Sequence, residues 1–297
     1  MFSLLFIGAS FAQNQTLSIY VEDTDIPFIL SSLDPINCIS EDLSVVDVTN
    51  MFFMDGWDGM TNDCEHLYLP GGNLETIEWG AVAIELTSGA IHIENFMLWP
   101  TEMEFDLTNN SLILIANMEE EPWSCAIWRW DLNSQELFFI TEFENIDFCG
   151  QESFSDMHCL DHENQILYSV FPDYIFVSTD LVSGEQEIHT LNIDSPDFPL
   201  LFPLGGLFYD HELQRIFYAS LISVDFSFGI IELNPQTWEM QMICAVESEN
   251  GQASTYNESE HLYSIIYEAS EGELSKHLTY DMTNGNLVDS CLYGNDD

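Results

Sequence analysis

Positive charge is almost missing from this chain. Its 297 residues include 3 Lys and Arg against 52 Asp and Glu, a formal net charge of -49 at pH 7. Only Arg129, Arg215 and Lys276 can offer a carboxylate a permanently cationic partner. The other acids must be solvated, protonated, bound to a metal or hydrogen-bonded to neutral donors. Nucleic acid and anionic membranes are excluded as partners, because both demand cationic surface. Further absences narrow the chemistry. The sequence holds no GxSxG elbow, no HExxH, no P-loop and no GxGxxG. Its 7 cysteines include no CxxC, which leaves zinc ribbons and thioredoxin-like folds without support. No segment reaches the ~18 unbroken apolar residues of a membrane span, so no membrane insertion is expected. No long stretch carries a helical period.

What is present is apolar. The chain is 46% hydrophobic and 13% aromatic, too rich for a disordered acidic tail. It reads as a folded domain under heavy self-repulsion. Residues 1–12 form a short apolar run ending in Ser10-Phe11-Ala12, a small-x-small pattern suited to signal peptidase. They read as a signal peptide, with one domain over 13–297. The expected location is secreted and extracellular, or an acidic lumen. Three glycosylation sequons, at Asn14, Asn109 and Asn257, agree with that route. An oxidising compartment permits disulfides, and Cys149 and Cys159 are close enough in sequence to staple one loop. They are expected to be joined, and the odd count leaves at least one thiol outside any pair.

The chain repeats itself every ~49 residues. An apolar strand runs into a turn of the type Asp/Glu-Leu-x-Ser-Gly, and a second strand leaves it. Its acid stands at Asp34, Glu85, Asp131, Asp180, Glu232 and Asp281. The carboxylate can cap local N–H groups, and Gly or Asn tolerates positive φ in a tight hairpin. A second motif keeps the same beat: a polar turn, then a strand carrying Tyr20, Tyr68, Leu114, Tyr168, Tyr218 or Tyr263. Strand-length aromatic and β-branched segments between turn residues, at this period, are the pattern of propeller blades. The pairing of Asp161-x-x-Asn-x-x-Leu-Tyr168 with Asp180-Leu-x-Ser-Gly-Glu185 resembles YVTN and quinoprotein-like β-propellers, most clearly over residues 100–291. The resemblance implies an all-β, closed β-propeller. Six turn motifs favour six blades, and five blades plus an N-terminal closing strand is the alternative. It is weak for activity, because such rings host many functions. Sialidase propellers hold their substrate with three arginines, and this chain has two. Quinone-cofactor propellers need basic residues that are equally scarce here.

Candidate chemistry rests on carboxylates, histidines and tryptophans. The densest acidic turn is Asp55-Gly-Trp-Asp58-Gly-Met-Thr-Asn62-Asp63. Its glycines permit a tight loop that aims Asp55, Asp58, Asn62 and Asp63 at one Ca2+ ion, though the spacing is not that of an EF-hand. The alternative is a solvated acidic loop. His162 and His211 occupy equivalent turns, as do His66 and His261, and read as turn residues carried by the repeat. Trp128 and Trp130 alternate on one strand and share a face, suited to stacking a glycan or, more commonly, to packing between blades.

The function expected from this is a secreted, non-enzymatic binding or matrix component that engages cations, cationic proteins or a mineral surface. The alternative is a Ca2+-dependent hydrolase with its site on the propeller axis. Three or more carboxylate or amide oxygens converging at one axial point would favour the enzyme. A lining of apolar and scattered polar groups would favour binding. Mutual repulsion is further expected to raise carboxyl pKa values and make the fold more stable near pH 4–5 than near pH 8.

Overall fold

The computed structural model describes residues 3–11, 15–21, 28–34, 39–53, 60–117, 124–143, 157–171, 175–190, 202–221, 228–246, 251–267 and 275–293. Among these there is no α-helix, and one 3-10 turn spans Glu258–Glu260. The strands form six antiparallel sheets in chain order, five of four strands and one of five. The first sheet is β1 (Ser3–Phe11), β2 (Gln15–Val21), β3 (Phe28–Asp34) and β4 (Ile39–Val46). The second is β5 (Met51–Phe53), β6 (Thr61–Asn62), β7 (His66–Asn73), β8 (Glu78–Glu85) and β9 (Ile91–Glu94), with β5 and β6 both pairing β7. The third is β10 (Pro100–Asp106), β11 (Ser111–Asn117), β12 (Cys125–Asp131) and β13 (Glu136–Glu142). The fourth is β14 (His158–Asp161), β15 (Ile166–Phe171), β16 (Ile175–Asp180) and β17 (Gln186–Thr190). The fifth is β18 (Phe202–Asp210), β19 (Arg215–Leu221), β20 (Phe228–Asn234) and β21 (Glu239–Val246). The sixth is β22 (Gly251–Asn257), β23 (Leu262–Tyr267), β24 (Ser275–Asp281) and β25 (Asn286–Tyr293). The whole is an all-β β-propeller. The stretch read as a leader supplies β1, which lies beside β6 on one side and β22 on the other.

Sequence periodicity explains why these meanders stack. Strands β7, β11 and β19 are apolar on both faces, because each face meets a different neighbouring sheet. Leu67 and Leu69 of β7 enter a cluster with Val46 of β4, while Tyr68 between them joins Met103, Leu112 and Trp130 of the third sheet. Leu112 and Leu114 of β11 face back to that cluster, and Ile113 and Ile115 face forward to Leu160, Leu167 and Val177. Ile216 and Tyr218 of β19 face the fourth sheet, and Phe217 and Ala219 face the sixth. Each large side chain so enclosed contributes roughly 1.5–3 kcal/mol. The outermost strands β13 and β21 are mostly exposed or half-buried along their length. A register shift breaks the pairing of the third and fourth strands in the first, third, fifth and sixth sheets, and such bulges sharpen a sheet's twist.

The turn between third and fourth strands has a fixed form. The residue four after the acid donates its N–H back to the acid's carbonyl: Gly89 to Glu85, Gln135 to Asp131, Gly184 to Asp180, Trp238 to Asn234 and Gly285 to Asp281. Those five returning residues all have positive φ. In the fifth sheet the capping side chain is therefore Asn234, which accepts the N–H groups of Gln236 and Thr237. Glu232 lies two residues earlier, inside β20, where it pairs with Arg215.

The expected Cys149–Cys159 bridge is corrected. Cys159 is a free, buried thiol on β14, held in the core between fourth and fifth sheets, and Cys149 lies outside the described residues. Burial pushes the Cys159 thiol well up, so it is neither crosslinked nor a ready nucleophile.

Candidate functional site at the propeller axis

The innermost strands β10, β14, β18 and β22 end at Asp106, Asp161, Asp210 and Asn257, and each is followed by a turn toward the second strand. The aspartates cap those turns. Asp106 accepts the N–H groups of Thr108 and Asn109 at 3.0 and 3.3 Å, Asp161 those of Glu163 and Asn164 at 3.1 and 3.0 Å, and Asp210 that of Leu213 at 2.7 Å. Each carboxylate is buried and also receives a group from the next sheet. Asp106 accepts Gln165 Nε2 at 3.0 Å, Asp161 takes the Tyr209 hydroxyl, and Asp210 takes His261 Nδ1 at 2.6 Å and the Tyr256 hydroxyl. Turn chemistry thus doubles as a latch between neighbouring sheets.

Two of the turn histidines meet. The His162 and His211 rings stack with centroids 5.2 Å apart and planes 14° from parallel. The His162 backbone N–H donates to His211 Nε2 at 3.0 Å. With Nε2 accepting there, the ring carries a proton on Nδ1, which faces Glu258 Oε1 at 2.9 Å. The same Glu258 oxygen accepts the His211 backbone N–H at 2.6 Å. Burial alone would lower the His211 pKa, but Glu258, Asp161 and Glu163 outweigh it and raise it.

These turns border a cavity of about 180 Å³, reached by β6, β10, β14, β18 and β22. Its lining is mixed. Glu104 and Glu258 bring carboxylates, His162 and His211 bring imidazoles, and Met60, Leu160 and Leu207 are apolar. Tyr209 and Tyr256 add aromatic surface. Burial holds the Tyr256 phenol protonated, reinforced by its hydrogen bond to Asp210. No lysine or arginine lines the cavity.

The residues expected from sequence fall as follows. Asp55 and Asp58 lie outside the described residues. Asn62 lines the cavity, with its side-chain oxygen accepting the Cys64 N–H at 3.2 Å. Asp63 is committed to its own turn, accepting the Glu65 and His66 N–H groups on Oδ1 and the Tyr68 hydroxyl on Oδ2. Among the described residues no group of three or more His, Cys, Asp or Glu is arranged to hold a metal ion. Trp130 packs between the second and third sheets on Phe96, and its Nε1 donates to Glu94 at 2.8 Å. Trp128 packs edge-on to Phe139. Neither lines the cavity. Asn109 donates its amide to Asp106 and Gln165, Asn257 opens the turn before β23, and Asn14 is outside the described residues.

Sequence reading treated the histidines as turn residues, which they are, and missed that His162 and His211 converge. The available signal was the repeat itself: equivalent turns of a propeller lie at one end of its axis. Reading also missed a buried Ser169–His158–Glu102 set. Ser169 Oγ lies 2.7 Å from His158 Nδ1, and Glu102 Oε2 lies 3.5 Å from His158 Nε2. The order is that of a nucleophile, base and acid, but Ser169 is 0% exposed and none of the three lines the cavity. Burial lowers the His158 pKa to about 3, so the imidazole is neutral and the set is a polar link between the third and fourth sheets.

Carboxyl acidity also differs from the expectation of raised values. Asp47, Asp63, Asp106, Asp131, Asp180 and Asp281 all move down. Burial would raise Asp106, but donors from His162, Asn109 and Gln165 outweigh it and bring the pKa to about 2. At Asp131 and Asp180 the turn N–H groups of Ser134 and Ser183 dominate. At these aspartates local hydrogen-bond donors outweigh the effects that would raise the pKa.

No protein-family model and no curated protein matches the sequence. Among solved structures the chain is similar to an oligogalacturonate lyase in complex with manganese, with TM-score 0.59, 11% identity, and 96% of this chain and 77% of that chain covered. It is similar to a chain of the nidogen/laminin complex, with TM-score 0.56, 12% identity, and 90% and 93% covered. It is also similar to TolB from Acinetobacter baumannii, with TM-score 0.54, 11% identity, and 89% and 62% covered. At these identities the likeness shows the propeller fold alone.

Proposed function

We propose that this chain is a binding propeller whose acidic surface engages cationic proteins, with divalent cations as exchangeable counter-ions. The observation that carries the reading is where the few positive groups go. Arg129 is turned to Gln165 at 2.9 Å and Asp106 at 3.6 Å, and Arg215 to Glu232 at 3.1 Å and to the Gln214 carbonyl. Two of the three basic residues are thus spent internally, and the acids outside are left to meet positive charge on something else. The mixed cavity lining is the arrangement expected of a binder. The fold's neighbours include both a lyase and a nidogen/laminin complex, so fold does not choose between catalysis and binding.

In the same reading the six sheets close as six blades, with β1 docking against β22. Export, glycosylation at the sequons and contact with a mineral surface or glycan belong to this proposal. The test is direct. The immobilised chain is titrated with a basic protein and with an acidic protein of similar size, each with and without Ca2+ and with chelator. Saturable binding of the basic protein alone, retained in chelator, supports the reading. Equal binding of both, or of neither, overturns it.

A further inference from the structure

We infer that the axial cavity receives an alkylammonium group, the side chain of a lysine on a basic partner protein. This rests on the reading of the chain as a binder of cationic proteins and names the contact it would use. Three properties of the cavity lead there. Its lining carries two carboxylates, Glu104 and Glu258, and no lysine or arginine. The site therefore demands a cation. Its volume of about 180 Å³ is below the roughly 300–1,000 Å³ usual for drug-sized ligands, so it suits one side chain or a small amine. Beside polar Thr61, Asn62 and His162, its lining includes apolar and aromatic side chains, from Met60, Leu160 and Leu207 to Tyr209 and Tyr256. That surface rewards burial of methylene groups and the approach of a cation to aromatic rings.

The same features select among cations. A hard divalent ion wants about six to eight oxygen ligands, and among the described residues no group of three or more His, Cys, Asp or Glu is arranged to hold one. A guanidinium prefers a carboxylate with both oxygens open for a fork-like pair. Glu258 does not offer that pair, because Oε1 already accepts the His211 backbone N–H and faces Nδ1. An ammonium is a compact charge with three rotatable donors and needs only a single carboxylate oxygen at each contact. Its four-carbon stem then lies against the apolar side of the cavity, as lysine stems do on apolar surfaces.

The experiment uses the full chain and calorimetric titration with n-butylammonium, n-butylguanidinium, n-butanol and CaCl2. Expected are one saturable site for butylammonium, at least about tenfold weaker binding of butylguanidinium, and no saturation by butanol. Glu258→Gln and Glu104→Gln should each weaken butylammonium about tenfold, while Glu187→Gln, on the exposed face of β17, should not. The wild-type series needs no variant to fold, and melting temperature checks the variants that are made. A lysine-rich peptide should compete with butylammonium. If butanol binds as well as butylammonium, if Ca2+ fills the same site more tightly, or if both glutamate variants bind unchanged, the inference falls. Failure here with basic-protein binding intact removes the lysine site and leaves the acidic-surface reading standing. Loss of basic-protein binding to the wild type removes that reading itself.

Discussion

Acidification should destabilise this acidic protein, and two buried histidines set the size of the effect. His158 is 4% exposed and burial lowers its pKa from 6.5 to about 3. His277 is 1% exposed and burial lowers its pKa to about 4. Both are neutral in the fold, whereas the unfolded chain protonates them near their ordinary value. Between those values the unfolded state binds the extra protons, so stability rises with pH there. The contribution is complete above about pH 6.5 and is lost as pH falls toward 4 and 3. At about 1.4 kcal/mol per pH unit, each histidine has forfeited about 2 kcal/mol by pH 5. Asp106, held at about 2, adds its own loss lower down, as pH falls from about 4 through its folded value. Long-range repulsion among the acids pulls the opposite way and is screened by salt. Thermal melts at about pH 8 and pH 5 in about 1 M NaCl, where the Debye length is about 3 Å, therefore isolate the histidines, with His211, whose pKa is raised, offsetting part of the fall. For a chain of this size the melting temperature should fall by about 5 °C. His158→Gln should remove about half of that fall. An equal or higher melting temperature at pH 5 in that salt would refute the reasoning and restore the view that repulsion raises carboxyl pKa values.

Three further outcomes follow from the packing. Gly206 has φ +60°, and a Cβ there would sit 1.6 Å from Ser254 Oγ of the next sheet, so Gly206→Ala should cost about 2–4 kcal/mol in urea unfolding. Trp130→Phe should cost about 1–3 kcal/mol, because it leaves buried Glu94 without its indole donor, and Trp99→Phe, on a partly exposed ring, should cost less. Thiol labelling of the native protein should reach exposed Cys64 quickly and buried Cys159 only after denaturation.

The fold was legible where the repeat wrote it in turn residues. Asp131, Asp180 and Asp281 were placed at hairpin turns from spacing alone, and each accepts turn N–H groups. The fifth copy slipped by two residues, because Glu232 matched the acidic pattern while Asn234 performs the same capping chemistry without charge. The run Ser3–Phe11, read from sequence as part of a leader, forms strand β1, and a leader and an inner strand share the same short apolar pattern. The cavity was not legible, because its parts come from five sheets and depend on which turns share an end of the axis. Nor was the buried His158 link, since nothing in a single strand reveals that Ser169 and Glu102 lie across from it.

The most direct test of the account is the ionic-strength dependence of association with a basic protein, measured by stopped flow or surface capture. Electrostatic steering by the acidic surface predicts an association rate that falls at least about tenfold between roughly 20 and 300 mM salt. It also predicts a salt-resistant remainder that Glu258→Gln and Glu104→Gln together diminish. An association rate indifferent to salt, or no preference for the basic protein over an acidic one, would contradict it.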